Sequence, residues 1–277
     1  MSFLSHVKDI EINPTELCNL QCSFCPRSFG YPNENLHMSI ETAQIIRQHL
    51  DEINYSHNLW ITGRGEPTLH NNFDELVDVF ARDNPSYNIS MTTNGKWLFD
   101  KYHKVIPQFY EINYDVYDTA YDEQGNDKQR IRAKKLKASL EEKYKNLKIL
   151  FKPDYGGLEW KKRNYGQNMT TRGYKDRLTN KILSDTSCNI IFERLFIDWN
   201  GDYNLCCHDW YEKIVLGNVR TESIADYVET NETLIYYKNK LVDGNRKDLT
   251  VCRNCDKSCP IQNPDYKKSL DMFNACR

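Results

Sequence analysis

The chain of 277 residues carries 37 Lys and Arg against 39 Asp and Glu, a formal charge of −2, and 39% of it is hydrophobic. That length supports one large core, or one core with a small appendage. The near balance of charge gives no electrostatic case for a nucleic-acid partner. No apolar run reaches the roughly 20 residues of a membrane span, and the first residues lack the basic and apolar regions of a secretion signal, so a cytoplasmic protein is expected.

Asp9-Ile-Glu-Ile-Asn alternates as a half-buried strand does, and Pro14 ends it. Ser39 is placed to cap a helix whose residues Ile40, Ala43, Ile46, Leu50 and Ile53 share one face. Leu59-Trp-Ile-Thr reads as a second strand. Asn72, with Glu75 three residues on, predicts the start of a helix through Leu76, Val77 and Phe80. Tyr87-Asn-Ile-Ser-Met-Thr is a third strand, followed by a helix from about Trp97. Tyr110-Glu-Ile-Asn-Tyr-Asp-Val alternates again, a charged helix follows around Ile131, Leu136 and Leu140, and Lys148-Ile-Leu-Phe-Lys is a fifth strand. Strands alternating with helices predict a parallel sheet, open or closed into a barrel, with right-handed connections. In such folds the site lies at the C-terminal ends of the strands. Residues 154–185 are polar, with Gly156, Gly157, Gly166 and Gly173, and read as a connector. Beyond them Ile190–Asp198 and Tyr203–Cys206 look strand-like on either side of the turn Asn200-Gly201-Asp202. A division at 1–185 and 186–277 is expected.

Ten cysteines without a secretion signal point to metal or catalysis more than to disulfides. Cys18, Cys22 and Cys25 stand together directly after the first strand; Cys188, Cys206, Cys207, Cys252, Cys255, Cys259 and Cys276 follow in the last third. Three thiolates on a four-iron cluster leave one iron open, and an open position separates a catalytic metal from a structural one. Half of a zinc site, with His37 as a further ligand, is the alternative for the first group, and a four-cysteine zinc ribbon for the second.

Cys18-Asn-Leu-Gln-Cys22-Ser-Phe24-Cys25 resembles the signature of the radical S-adenosylmethionine (SAM) superfamily. Gly63-Arg-Gly65-Glu66-Pro resembles the family's Gly-Gly-Glu element, with Arg64 where glycine is frequent. The resemblance covers roughly residues 8–155. It implies a partial (β/α)6 TIM-like barrel, a [4Fe–4S] cluster on Cys18, Cys22 and Cys25, and SAM held near Phe24, Gly65, Glu66, Asn94 and Asp115. It also implies reductive cleavage of SAM to a 5′-deoxyadenosyl radical, with flavodoxin or ferredoxin as electron donor. Cys188, twelve residues, Gly201, four residues and Cys206, then Cys252-Arg-Asn-Cys255, resemble the SPASM and twitch extensions. That likeness implies a small α+β domain holding an auxiliary [4Fe–4S] cluster on Cys188, Cys206, Cys252 and Cys255, with Cys259 or Cys276 able to replace one of them.

An auxiliary cluster that accepts an electron suits a two-electron oxidation. The layout is most similar to the aminocyclitol dehydrogenase branch, which oxidises a secondary alcohol of a small molecule. In that branch a basic residue assists deprotonation; Arg172 is the first choice and Arg163 the second. The alternatives are a peptide-modifying enzyme, for which the 17 residues before Cys18 leave no room for a recognition domain, and a non-catalytic iron–sulfur or zinc scaffold.

Overall fold

Period-two alternation in the first half of the chain becomes a parallel sheet. The structure, a computed structural model, describes residues 2–22, 25–83, 85–96, 101, 104–117, 123–144, 147–155, 186–255 and 259–275. Strands β1 (Asp9–Ile12), β2 (Asn58–Ile61), β3 (Asn88–Thr93), β4 (Glu111–Tyr117) and β5 (Lys148–Tyr155) pair in sequence order, all parallel. In register, Ile12, Ile61, Met91 and Ile112 form one row, and all four are buried. The adjoining row, Glu11, Trp60, Ser90 and Glu111, points to the opposite face, because successive residues of a strand alternate sides. The apolar side packs into the same core as Ala43, Ile46 and Leu50 of α1 (Ile40–Glu52) and Leu76, Val77 and Phe80 of α2 (Phe73–Ala81). A third helix, α3 (Glu123–Lys143), connects β4 to β5.

Ser39 caps α1 as expected, its hydroxyl accepting from the Thr42 N–H at 3.1 Å. Asn72 does not cap α2 with its side chain. Its backbone, at φ −120° and ψ 48°, lacks the extended geometry of Ser39, and its N–H donates instead to His70 Nδ1 at 3.1 Å. Asp74 and Glu75 in the first turn still complement the helix dipole. The helix start expected at Trp97 lies outside the described residues.

The strand-like stretch Ile190–Asp198 divides in two. The Asn189 carbonyl accepts from the N–H groups of Phe192 and Glu193, winding residues into the short α4 (Ile190–Glu193) before β6 (Arg194–Ile197) extends. Strand β6 pairs parallel to β1, with Arg194 reaching Glu11 at 2.6 Å and Asp9 at 3.4 Å. This is the sixth parallel strand, which periodicity alone leaves unplaced. Strands β7 (Asp202–Asn204) and β8 (Val215–Asn218) continue antiparallel, giving the order β5-β4-β3-β2-β1-β6-β7-β8. Gly201, at φ +89°, makes the β6–β7 turn that a residue with a Cβ adopts poorly. The sheet therefore runs across the 185/186 division. Helices α5 (Ile224–Thr230), α6 (Glu232–Val242) and α7 (Asp265–Ala275) complete the C-terminal part, and their apolar residues join the same core. Among the described residues no helix is long and apolar enough to cross a membrane.

Candidate functional site

The loop after β1 is pinned from several sides before it reaches the cysteines. Glu66 N–H donates to the Leu17 carbonyl at 2.9 Å, and Arg27 Nη2 donates to the Glu16 carbonyl at 2.6 Å. Asn33 brackets Cys18, accepting from its N–H at 2.8 Å and donating to its carbonyl at 3.0 Å. Cys25 N–H donates to the Cys22 carbonyl at 3.0 Å, and Ser28 Oγ donates to the same carbonyl at 2.6 Å. Main-chain N–H groups of Leu20 and Asn19 point at the Cys18 sulfur, and that of Arg27 at the Cys25 sulfur. Burial nevertheless pushes the Cys18 thiol up, and that of Cys25 up to about 12. Free, these thiols stay protonated; a bound cation is what displaces the protons, and the N–H donors are in place to stabilise the thiolates. The donor set fits an iron–sulfur cluster. Phe24 lies outside the described residues.

Gly65 sits where a side chain has no room: a Cβ there would stand 2.0 Å from the Thr15 carbonyl oxygen and 2.7 Å from that of Leu17. Glycine is therefore what lets the turn after β2 lie directly on the approach to Cys18. The Glu66 carboxylate is buried and accepts from Thr68 Oγ1 at 2.7 Å, Thr93 Oγ1 and the Asn94 N–H at 2.9 Å. Burial pushes its carboxyl up, and the Asn94, Thr93 and Thr68 bonds oppose that. Glu66 thus stitches the β2 turn to the end of β3. Asn94 Nδ2 reaches across to Asn19 Oδ1 at 2.9 Å, inside the first cysteine loop. Asp115 is buried at the C-terminal half of β4, in register with Lys152. Gly65, Glu66, Asn94 and Asp115 all follow or end strands at one edge of the sheet, the edge from which the Cys18 loop leaves.

The second cysteine group converges from separate elements. Cys188 precedes α4, Cys206 follows β7, and Cys252 and Cys255 flank a turn closed by Cys255 N–H to the Cys252 carbonyl at 3.1 Å. Fully buried Arg246 holds the Cys188 segment by donating to the Thr186 carbonyl at 2.5 Å and the Ser187 carbonyl at 3.0 Å. Burial pushes the Cys206 thiol well up, and its neighbours Cys207, Cys252 and Cys255 push it further. Cys252 is raised to about 12 by burial and by Cys255. The N–H groups of Ile190 and His208 point at the sulfurs of Cys188 and Cys206, the same i+2 arrangement as at Cys18 and Cys25. Here too the donors fit a thiolate-ligated cluster. Cys259 forms a parallel bridge with Cys188, and their thiols are in hydrogen-bonding contact. Cys206 and Cys207 lie in a turn closed by Asp209 N–H to the Cys206 carbonyl at 3.0 Å, so strand alternation does not govern Cys207, which is exposed. Arg172, Arg163 and Cys276 lie outside the described residues.

One cluster of charge has no counterpart in the motif reading. Glu16, Asp198 and Glu212 present carboxylate oxygens all within 4.8 Å of one another, and Arg64 lies among them, 2.8 Å from Asp198 and 3.3 Å from Glu16. The only trace of it in the sequence is Arg64 itself, standing between two glycines.

The family model of the radical SAM superfamily matches residues 12–152, and that of the SPASM iron–sulfur cluster-binding domain matches residues 188–256. An S-adenosyl-L-methionine-dependent 2-deoxy-scyllo-inosamine dehydrogenase from Niallia circulans is 22% identical over 247 residues, 89% of this chain and 92% of that protein. The crystal structure of BtrN in complex with AdoMet and 2-DOIA superposes with a TM-score of 0.73 at 20% identity, covering 93% of this chain and 96% of that one. Native anSMEcpe with bound AdoMet has a TM-score of 0.54 at 14% identity, covering 97% of each chain.

Proposed function

The chain belongs to the radical SAM superfamily, and on that premise we propose that it oxidises a secondary alcohol of a small aminocyclitol-like molecule to a ketone. The observation that carries this reading is the convergence of a second set of cysteines, Cys188, Cys206, Cys252 and Cys255, from separate elements of the C-terminal part. A relative that is a scyllo-inosamine dehydrogenase, similar over 92% of its own length, supports it.

In this reading Cys18, Cys22 and Cys25 hold the cluster that binds SAM, and Cys188, Cys206, Cys252 and Cys255 hold the auxiliary one. When bound, SAM and the two clusters would supply hydrogen-atom abstraction at the alcohol carbon and an acceptor for the second electron, the hydroxyl proton leaving to balance the two-electron oxidation. The chain's own residues orient and shield. Asn33 fixes the Cys18 backbone from both sides, and Gly65 lets the β2 turn close on it. Glu66 holds Asn94 toward the Cys18 loop, and Asp115 adds a buried carboxylate at the same sheet edge. A flavodoxin- or ferredoxin-type protein would supply the single electron.

The test is anaerobic incubation of the reconstituted protein with SAM, a reductant and aminocyclitols, followed by mass spectrometry for 5′-deoxyadenosine and the ketone. Replacing both Cys252 and Cys255 by Ala should leave 5′-deoxyadenosine forming while the ketone is lost, with the first cluster and the circular dichroism retained. A near-normal ketone yield from that variant would make the auxiliary site structural and sink the dehydrogenase reading. Turnover of a peptide but of no aminocyclitol would replace it with peptide modification.

A further inference from the structure

Arg64 stands in the turn after β2, between Gly63 and Gly65. Its main chain is held on both sides: the N–H donates to Asn13 Oδ1 at 3.1 Å, and the carbonyl accepts from Arg27 Nε at 3.1 Å. Its side chain, 10% exposed, reaches carboxylates from three places in the chain. Glu16 precedes Cys18. Asp198 ends β6. Glu212 lies in the segment between Cys206 and β8, and its short contact to Arg64 Nη1 spans 148 residues of sequence. The three carboxylates are grouped as closely as metal ligands are, and the guanidinium takes the place of the ion.

The remaining polar groups complete the cluster. Arg27 Nη2 meets Glu16 Oε2 at 3.2 Å, and Tyr31 OH donates to the same oxygen at 3.1 Å. Asn13 Nδ2 donates to Glu16 Oε1 at 2.7 Å and Asp198 Oδ1 at 2.6 Å. Three carboxylates against two guanidinium groups leave one negative charge in the cluster. Burial and then Asp198 push the Glu212 carboxyl up to about 7, so of the pair it is the one that takes up a proton first as pH falls. Glu212 also adopts φ +49°, a conformation unusual for a residue with a long side chain. Its neighbours carry the constraint back to the cysteine: Lys213 and Ile214 N–H donate to the Asp209 carboxylate at 3.1 and 2.9 Å, and Asp209 N–H donates to the Cys206 carbonyl.

We infer that Arg64 is a positioning residue that clasps the Cys206 turn to the Gly63–Glu66 turn, so that one side chain sets the place of the auxiliary cysteine site relative to the first. All three carboxylates are met by one nitrogen, Nη1, and lysine, whose side chain is one bond shorter, holds its ammonium short of that position. The inference rests on the proposed function for one of its readouts only.

The experiment compares cluster-loaded wild type with Arg64→Gly, Arg64→Lys, Glu212→Ala and Glu212→Gln. Backbone hydrogen exchange of residues 209–214 is the readout independent of any substrate, and ketone formed per 5′-deoxyadenosine is the second. Arg64→Gly, Arg64→Lys and Glu212→Ala should each speed exchange in 209–214 by about tenfold or more while the core strands stay protected. The same variants should lower the ketone-to-deoxyadenosine ratio. Glu212→Gln keeps a donor toward Asp198 and an acceptor toward Arg64, and should match wild type in both. If Arg64→Gly does not fold, Glu212→Ala decides. Unchanged exchange in a folded Arg64→Gly or Glu212→Ala overturns the inference. If no protein, wild type included, makes the ketone, the exchange data still judge the clasp, and only the proposed reaction is lost.

Discussion

Lys238, on α6, is 1% exposed and faces the Phe3 ring, with its amine 4.5 Å from the ring centre and 5.9 Å from that of Phe192. Glu229 attracts it, but that carboxylate already accepts from the N–H groups of Phe3 and Leu4, at 3.1 and 2.8 Å. Burial therefore dominates and lowers the amine from its ordinary 10.5 to about 7. Below pH 7 both the folded and unfolded chains hold the proton, and the folded state carries the full penalty of a buried ammonium, roughly 5 kcal/mol. Between about 7 and 10.5 the unfolded chain binds the proton and the fold does not, so stability rises with pH; above that range the penalty is gone. Lys238→Met keeps the unbranched shape and removes the charge. Allowing about 1–2 kcal/mol for the lost contact with the rings, the variant should be more stable than wild type by roughly 3–4 kcal/mol near pH 6.5. That gap should shrink steadily toward pH 10. Anaerobic urea unfolding of the cluster-loaded proteins at several pH values, followed by circular dichroism, measures it. A gap independent of pH, or a variant less stable than wild type at pH 6.5, would refute the reasoning.

Reconstituted protein should bind about eight iron and eight sulfide, and replacing Cys18, Cys22 and Cys25 together by Ala should leave about half; four equivalents in the wild type would mean the second site holds no cluster. Gly65→Ala should push the β2 turn off the Thr15 and Leu17 carbonyls, destabilising by about 1–3 kcal/mol and weakening SAM binding in calorimetry. An unaltered thermal midpoint would show that the turn can move freely. Glu66→Gln places amide hydrogens among the hydroxyl and N–H donors of Thr68, Thr93 and Asn94, and should cost about 1–3 kcal/mol of stability while loosening SAM. Full SAM affinity in a folded variant would remove Glu66 from the site.

Much of this protein is legible in its sequence. Cys18, Cys22 and Cys25 lie within eight residues of one another, and local spacing suffices to bring three thiols together. The same holds for β1 to β5, whose period-two rows survive into the parallel register, and for Ser39, whose cap is made within three residues. What sequence order could not express is contact between distant segments. Residues Arg194–Ile197, placed with the C-terminal part, become the neighbour of β1 through a four-residue parallel ladder that buries Leu195, Phe196 and Ile197. Cys259 meets Cys188 across 70 residues through a bridge that no spacing rule announces. Arg64, read along the chain, only breaks a glycine motif; in the fold it pairs with Glu16, Asp198 and Glu212. A lone charge in a sequence has no visible partner, and whether it is solvated or clasped is decided when folding removes water and brings opposite charges within about 4 Å.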